Sequence, residues 1–304
     1  MIDPRLQTLR LVAHHGTVTA AAAASHYTPS AVSAHLRSLA QEVGVTLVER
    51  QGRGVRLTDA AMVFLEYADD VAARWEQTLA RAQALEGPRS GTLVLCGFST
   101  AAASLLPRAA HLVSQRHQGT VVRIIEADPC DCFDLLLAGR ADVAVVIATV
   151  EIPPDNDPRF EQQTLGQDPL DLLVPAGHPF ASRTSIRLAE AADEAWIMDR
   201  AGRPYQRLVA GACLAAGFSP QIAHEAVEWE TGAALVDAGL GVALIPALAS
   251  LPARYDVHRV RLQGDPRPTR RIRTAIRSGS GGYPRIATAL EAMAVTSATM
   301  LSES

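Results

Sequence analysis

Helical periodicity dominates the first 58 residues, where apolar side chains recur every three or four positions. The pattern predicts helices over about residues 4–14, 20–24 and 29–43. Two short extended segments, 45–49 and 55–58, enclose a turn that contains Gly52 and Gly54. The sequence therefore predicts three short helices followed by a β-hairpin.

A much longer helix follows the hairpin. From Thr58 to about Leu85 the chain contains no Pro or Gly, and apolar residues recur at helical spacing. Such a helix exceeds the usual length in globular proteins, and Gly87 and Pro88 end it. One amphipathic helix cannot bury its own apolar stripe, so a partner surface is needed. We expect that surface to be a second copy of the chain, and packing against its own domain is the alternative.

From residue 91 onward, strands and helices alternate, which indicates an α/β domain. The predicted strands lie near residues 92–98, 121–126, 142–147, 170–174, 195–198, 222–226, 241–245 and 270–277. The predicted helices lie near residues 104–117, 131–138, 203–216, 231–238 and 285–297.

Charge is distributed unevenly, although the net charge over 304 residues is only −4. Residues 1–57 hold six Arg against three acidic residues, whereas residues 58–90 hold three Arg against six. The basic block is thus confined to the helical head, as in a module that contacts phosphates. Four cysteines do not form a disulfide scaffold, and no signal peptide or membrane-length apolar run is seen. We expect a cytoplasmic protein without a metal, a cofactor or a membrane partner.

The order of helix, tight turn, proline-started helix and glycine hairpin is typical of a winged helix-turn-helix. In such a module the third helix presents polar groups to base edges in the major groove, and hairpin arginines reach phosphate or the minor groove. Double-stranded DNA is therefore the expected partner. The candidate DNA-binding residues are Thr28, Ser30, Ser33, His35, Arg37, Arg50, Arg53 and Arg56. Helix capping is the alternative interpretation for Thr28.

Four segments of the head, in the right order, resemble the motifs of the LysR family of transcriptional regulators. They are residues 16–22 (GTVTAAA), 31–39 (AVSAHLRSL), 44–50 (GVTLVER) and 52–58 (GRGVRLT). His35 stands where the family often has Gln, which affects the expected operator preference and not the fold. Farther along the chain, residues 238–246 (AGLGVALIP) resemble a motif of the family's effector domain.

The resemblance implies an α/β effector domain with two lobes, like that of periplasmic binding proteins, preceded by an all-α winged helix-turn-helix and a long linker helix. It also implies a homodimer or homotetramer that binds an operator or promoter, with RNA polymerase as a further candidate partner. We expect the winged helix-turn-helix over 1–58, the linker helix and hinge over 59–90, and the effector domain over 91–304. Within the last, lobe I comprises 91–163 and 266–304, and lobe II comprises 164–265.

In folds of this kind ligands bind in the cleft at the carboxyl ends of the strands. The polar residues expected there are Ser99, Thr100, Asp128, Thr149, Arg200, Arg203 and Glu228. Hydroxyl groups and arginines suit a carboxylate, whereas the acidic residues together with Asp199 suit an amino group. A carboxylic acid and an amino acid are therefore both candidate effectors.

Three alternatives remain at the level of sequence. Cys130 and Cys132 lie at a predicted helix start, which lowers a thiol pKa, so a redox-responsive regulator is one of them. A solute-binding protein is another, because the second part of the chain resembles that fold. An enzyme is disfavoured, because the sequence contains no nucleophile elbow, HExxH motif or phosphate-binding loop.

Overall fold

The structure is a computed structural model that describes residues 3–25, 27–52, 54–86, 90–264 and 267–302. Every helix and strand bound below refers to that part of the chain.

The head is built from three helices and a two-stranded hairpin. Its elements are α1 (Pro4–His15), α2 (Val18–Ser25), α3 (Pro29–Val43), β1 (Val48–Gln51) and β2 (Gly54–Leu57). The Asp3 and Thr28 side chains cap α1 and α3 by accepting backbone hydrogen bonds, and each helix has Pro in its first turn. Gly16 and Gly44 end these two helices in the left-handed conformation. Capping signals in the sequence thus define both helices.

The linker helix α4 (Asp59–Glu86) is 28 residues long, as the sequence predicts. The Thr58 hydroxyl accepts a hydrogen bond from the Ala61 amide at its start. One side of α4 is buried against the rest of the chain, and its buried residues are Ala61, Leu65, Ala68, Ala72 and Ala80.

Lobe I is a sheet covered on both faces by helices. It contains β3 (Gly91–Gly97), α5 (Ser99–Ser104), α6 (Leu106–Arg116), β4 (Thr120–Glu126), α7 (Pro129–Leu137), β5 (Val143–Ile147) and the first part of β6 (Phe160–Pro175). β3 pairs in parallel with both β4 and β5. Alternate residues of β3 enter different cores, because side chains of a strand point to opposite faces.

Lobe II follows β6. It contains β7 (Ser185–Arg187), β8 (Ala195–Met198), α8 (Pro204–Ala215), β9 (Gln221–Glu225), α9 (Trp229–Asp237), β10 (Ala243–Pro246) and β11 (Val257–Gln263). The chain then returns to lobe I through β12 (Thr269–Arg277) and α10 (Pro284–Ser302). Short 3-10 helices lie at Pro179–Ser182, Leu188–Ala191 and Ser280–Gly282.

Strand β6 belongs to both lobes. Its first part, from Phe160 to Pro169, pairs with β12, and its second part, from Leu170 to Pro175, pairs with β10 and β11. This single 16-residue strand connects two separately covered halves of a curled mixed sheet.

The two-lobed α/β fold behind a winged head confirms the predicted fold class. Several strands differ from the sequence prediction. β6 begins ten residues before the predicted start at 170, and β7 and β11 were not predicted. The first part of β6 is largely polar and β11 carries arginines, so neither has the apolar run that marks a buried strand. In the described residues, no helix combines the length and apolar character needed to cross a bilayer.

Candidate functional site

Helix α3 presents a polar face to solvent. Thr28, Ser30 and Arg37 are exposed, and Ser33 is half-buried. The Thr28 hydroxyl accepts a hydrogen bond from the Ala31 amide at 3.2 Å and lies 2.9 Å from the Ser30 hydroxyl. Thr28 therefore acts as a helix cap, the alternative to DNA contact that the sequence left open. The Thr28 methyl group and Ser30 remain at the exposed end of α3.

His35 points toward the head and is not on the exposed face. Its Nδ1 lies 2.9 Å from the Thr8 hydroxyl of α1, and its ring makes an edge-to-face contact with Tyr27. These contacts give His35 a packing role between α1 and α3. Gln41 is also exposed, one turn beyond Arg37.

The hairpin carries a second exposed basic side chain of the head. Arg56 is exposed on β2, and its guanidinium donates to the Glu49 carboxylate at 2.5 Å across the hairpin. The backbone of Arg50 lies on β1, opposite Val55. The predicted contact Arg53 lies outside the described residues. A contact from Arg56 to phosphate would have to replace its pair with Glu49.

A cavity of about 500 Å³ lies between the two lobes. Its walls come from the carboxyl ends of β3, β4, β5, β8 and β9 and from the helix starts that follow them. This is where the ligand site of an open α/β sheet is expected. Helices α7 and α8 begin here with Pro in the first turn, where a missing N–H costs nothing.

Five of the seven predicted cleft residues line this cavity. They are Ser99, Asp128, Thr149, Arg203 and Glu228. Thr100 is buried behind the wall, where its hydroxyl accepts a hydrogen bond from Arg270 at 3.0 Å. Arg200 is not among the lining residues, and its backbone amide donates a hydrogen bond to the Asp199 carboxylate at 2.7 Å.

The floor of the cavity is formed by Arg270, which sequence reasoning missed. Arg270 on β12 is only 2% exposed, and it pairs with Asp168 on β6, which is fully buried. The guanidinium also stacks over the Phe98 ring at 5.1 Å, and the Asp168 carboxylate accepts the Leu248 amide. This pair joins the two central strands at the point where β6 passes between the lobes.

The wall from lobe II combines aromatic and charged groups. Tyr205 and Trp229 meet edge-to-face at 4.9 Å, and the Tyr205 hydroxyl donates to the Leu244 carbonyl at 3.0 Å. Burial raises the pKa of Tyr205, so this hydroxyl stays protonated. Arg203 donates to Asp199 at 2.9 Å, and its Nη2 lies 3.8 Å from Asp128 across the cleft. Arg203 therefore links lobe II to lobe I.

Cys130 and Cys132 do not have the properties of activated thiols. Burial, followed by the charges of Asp131, Asp134 and Asp128, raises the pKa of the exposed Cys130. A hydrogen bond with Cys96, together with burial, raises the pKa of Cys132. The expected lowering of the thiol pKa is therefore wrong, because nearby carboxylates and burial outweigh the helix start.

The head contacts lobe I through helix α7. His14 Nε2 lies 2.6 Å from an Asp134 oxygen, and the Gln7 amide donates to the Leu137 carbonyl at 3.1 Å. His14, His15 and Asp134 place possible metal-ligand atoms within 4.8 Å of one another. However, the Arg159 guanidinium lies 3.1 Å from His14 Nδ1, which favours a hydrogen-bonded network over a cation site.

A head with an exposed polar recognition helix, joined on one chain to a two-lobed domain with an interlobe cavity, defines a class of protein: a regulator that carries a DNA-binding unit and a sensing unit together. Comparison with known proteins agrees. Residues 4–62 match the family model for the bacterial regulatory helix-turn-helix protein of the lysR family, and residues 86–296 match that for the LysR substrate binding domain. The chain belongs to the LysR family of transcriptional regulators, as the sequence motifs predict.

Its relatives are transcriptional regulators. The chain is 29% identical over 291 residues to the DNA-binding transcriptional dual regulator OxyR of Escherichia coli, covering 94% of each chain. It is 28% identical over 229 residues to the regulator AlsR of Bacillus subtilis, covering 74% of each.

Solved structures share the fold. A full-length OxyR variant from Pseudomonas aeruginosa superposes with a TM-score of 0.64 at 23% identity, covering 96% of this chain and 93% of that one. Full-length CbnR in complex with its target DNA superposes with a TM-score of 0.57 at 23% identity, covering 97% and 99%.

Proposed function

We propose that this LysR-type regulator reads its operator with α3 and the hairpin, and that a small molecule in the interlobe cleft controls this binding. The observation that carries the first part is the exposed polar face of α3. There Ser30 and Arg37 reach solvent on a helix whose opposite side is buried by Val32, Leu36 and Leu39. Short polar groups and one guanidinium on such a face fit the major groove.

The second part rests on the cavity between the lobes. Its volume and its mixture of apolar and polar walls suit a small molecule. The pairs of Arg203 with Asp128 and of Arg207 with Glu151 cross between the lobes at exposed positions. Exposed pairs are weak, so ligand contacts can shift the angle between the lobes.

We further propose that the working unit is a homodimer, or a homotetramer of two dimers, assembled through α4 in the cytoplasm where the chromosome lies. Met62, Val63 and Tyr67 leave a short apolar stripe exposed at the start of α4. Pairing two copies along this stripe would place two α3 helices on two half-sites. RNA polymerase remains a predicted partner, and no catalytic step is part of the proposal.

A thiol-based sensor is the second candidate. Relatives include the hydrogen peroxide-inducible genes activator of Escherichia coli, which raises the possibility for this chain. The raised pKa of Cys130 and Cys132 disfavours it, because the thiolate is the form that reacts with peroxide.

The DNA-binding proposal is tested with an operator selected in vitro from a random-sequence pool by the full-length protein. Arg37→Ala should weaken binding by about 1–3 kcal/mol if Arg37 contacts a base, or lower the salt dependence by about one unit if it contacts phosphate. Arg123→Ala, an exposed arginine on β4, is the matched control. Equal affinity of the Arg37 and Arg123 variants at every salt concentration would contradict the assignment.

A further inference from the structure

The interlobe cleft carries an excess of negative charge. Five carboxylates line it, against two guanidiniums. The carboxylates belong to Glu126, Asp128, Asp131, Asp199 and Glu228, and the guanidiniums to Arg203 and Arg270.

Both guanidiniums already have partners in the protein. Arg270 is bonded to the buried Asp168 and to Thr100, and Arg203 is bonded to Asp199 and faces Asp128. A carboxylate ligand would have to compete with these internal pairs. In contrast, Glu126, Asp131 and Glu228 have no ion pair among the residues that the structure describes, so three carboxylates face the cavity without a counter-charge.

The surroundings of α7 show the same excess. Burial, and then the charges of Asp134 and Asp128, raises the pKa of Asp131. A carboxyl group surrounded by other carboxylates in this way is stabilised by a cation. Asp131 and Asp128 are themselves two of the five carboxylates of the lining, and Asp134 adds a further negative charge on α7.

Two of the helix starts at the cleft, those of α7 and α9, do not provide a site for anions. Helices α7 and α9 both begin here, and free amides at a helix start favour an anion. However, Asp128 and Glu228 occupy the two cap positions and accept no capping hydrogen bond from the helix. The negative charges of these two side chains cancel the positive ends of both helices. Because neither carboxylate makes a capping hydrogen bond, both are available to the cavity.

The remaining wall is aromatic. Trp229 and Tyr205 line the cavity from lobe II, and Phe98 lines it from lobe I. Aromatic faces attract cations when water is excluded, and they also cover a short apolar body.

From these observations we infer that the effector is a small organic cation, with an ammonium or guanidinium group held by Glu126, Asp131 and Glu228 and an apolar body against Tyr205 and Trp229. A simple carboxylic acid does not fit the charges of this cleft. The inference rests on the proposal that the cleft is the effector site, and it narrows the two classes of effector that the sequence leaves open to those that carry a positive group.

The test uses the full-length protein without DNA, so that cations cannot act through the nucleic acid. Calorimetric titrations with agmatine and putrescine are compared with glutarate and succinate at equal ionic strength. We expect the two amines to bind and to raise the melting temperature, and the two dicarboxylates to do neither.

Variants locate the binding in the cleft. The double variant Asp131→Asn with Glu228→Gln should weaken agmatine binding about tenfold or more, because it removes two charge-assisted contacts. Asp193→Asn neutralises an exposed carboxylate outside the cavity and should leave the affinity unchanged. Unchanged unfolding of both variants in denaturant shows that the double variant is folded.

Three outcomes overturn the inference: binding of the dicarboxylates and not the amines, binding of neither class, or equal amine affinity in the double variant and the wild-type protein. Equal amine affinity in the double variant would mean that the amines are attracted to the negative surface of the protein as a whole and not to the cleft. The binding of the selected operator is measured separately. A failure there would refute the DNA-reading proposal while leaving the amine result intact, so the two failures are distinguishable.

Discussion

Arg270 carries a full charge into the interior, directly behind the cavity. The cost of removing it from water is offset by Asp168, by the Thr100 hydroxyl and by the face of Phe98. Because every one of these partners is itself buried or lies in the wall, the pair fixes the floor of the cleft and leaves little of Arg270 for a ligand. Arg270 therefore holds the floor of the cleft in place, and its guanidinium is already paired and does not need an anionic ligand.

We predict that Arg270→Met lowers the free energy of unfolding by about 3–5 kcal/mol, because Asp168 would remain buried without a counter-charge. Urea denaturation at neutral pH measures this. The double variant Arg270→Met with Asp168→Leu should recover much of the loss. Arg116→Ala breaks the exposed pair with Glu291 and should cost less than about 1 kcal/mol. A similar, small cost for Arg116→Ala and Arg270→Met would contradict the role given to the buried pair.

At the scale of elements, helix α7 touches two distant regions. Its first turn, with Pro129 and Asp131, lines the cleft, and its last two turns meet the head through Asp134 and Leu137. Arg159 extends this contact by reaching His14 while donating twice to Asp157. A displacement of α7 caused by a ligand would therefore be felt at α1 without passing through the hinge.

The Asp157–Arg159 pair gives this contact a pH dependence. Burial opposes ionisation of Asp157, but hydrogen bonds from Arg159 outweigh it and hold the pKa of Asp157 below its usual value of 3.8. A lowered pKa in the folded state stabilises the protein above the unfolded pKa, and this contribution is lost as the pH falls through the folded pKa.

We therefore expect Asp157→Asn to be less stable than the wild-type protein at pH 7, and the difference to shrink as the pH falls below about 4. Urea denaturation at a series of pH values measures this difference. Asp193→Asn should unfold like the wild type throughout. A difference for Asp157→Asn that stays constant down to acidic pH would show that the substitution acts through packing and not through charge.

Sequence signals were most informative for the helices. Helix α4 and the capped helices α1 and α3 agree with the prediction to within about two residues, because caps and glycines mark their ends. Strands such as β11, whose arginines alternate with buried residues, gave no apolar run and were missed.

For the cleft, residues at strand ends could be predicted from topology. Arg270 could not, because its role depends on pairing with Asp168 across two strands that are far apart in sequence.

At the scale of the whole molecule, α4 buries one apolar side and exposes further apolar side chains in its first turns. The buried side packs within the chain, while Val63 is 65% and Tyr67 is 58% exposed. An exposed apolar stripe of this kind is costly in water unless a second surface covers it.

We predict that Val63→Asp with Tyr67→Asp shifts the protein toward the monomer and weakens operator binding, because two half-sites would no longer be read together. Analytical ultracentrifugation reports the assembly state. Leu214→Asp alters a side chain that is 70% exposed on α8, and it should leave both properties unchanged. A double variant that retains the wild-type assembly state would show that α4 is not the dimer surface.

One further consequence comes from β6. Within its pairing with β12, the register shifts between Ile272 and Arg273, so that Leu165 is an extra residue in β6, a few positions before the strand enters lobe II. The backbone of β6 is continuous between the lobes and pairs with neighbouring strands on both sides of this point. At β6 the lobes are therefore not joined by a flexible linker. We therefore expect their relative motion to be a change in the curvature of β6, with a graded response and not an all-or-none switch within a single subunit. Any sharp threshold in the response to ligand would then have to come from the coupling of several subunits.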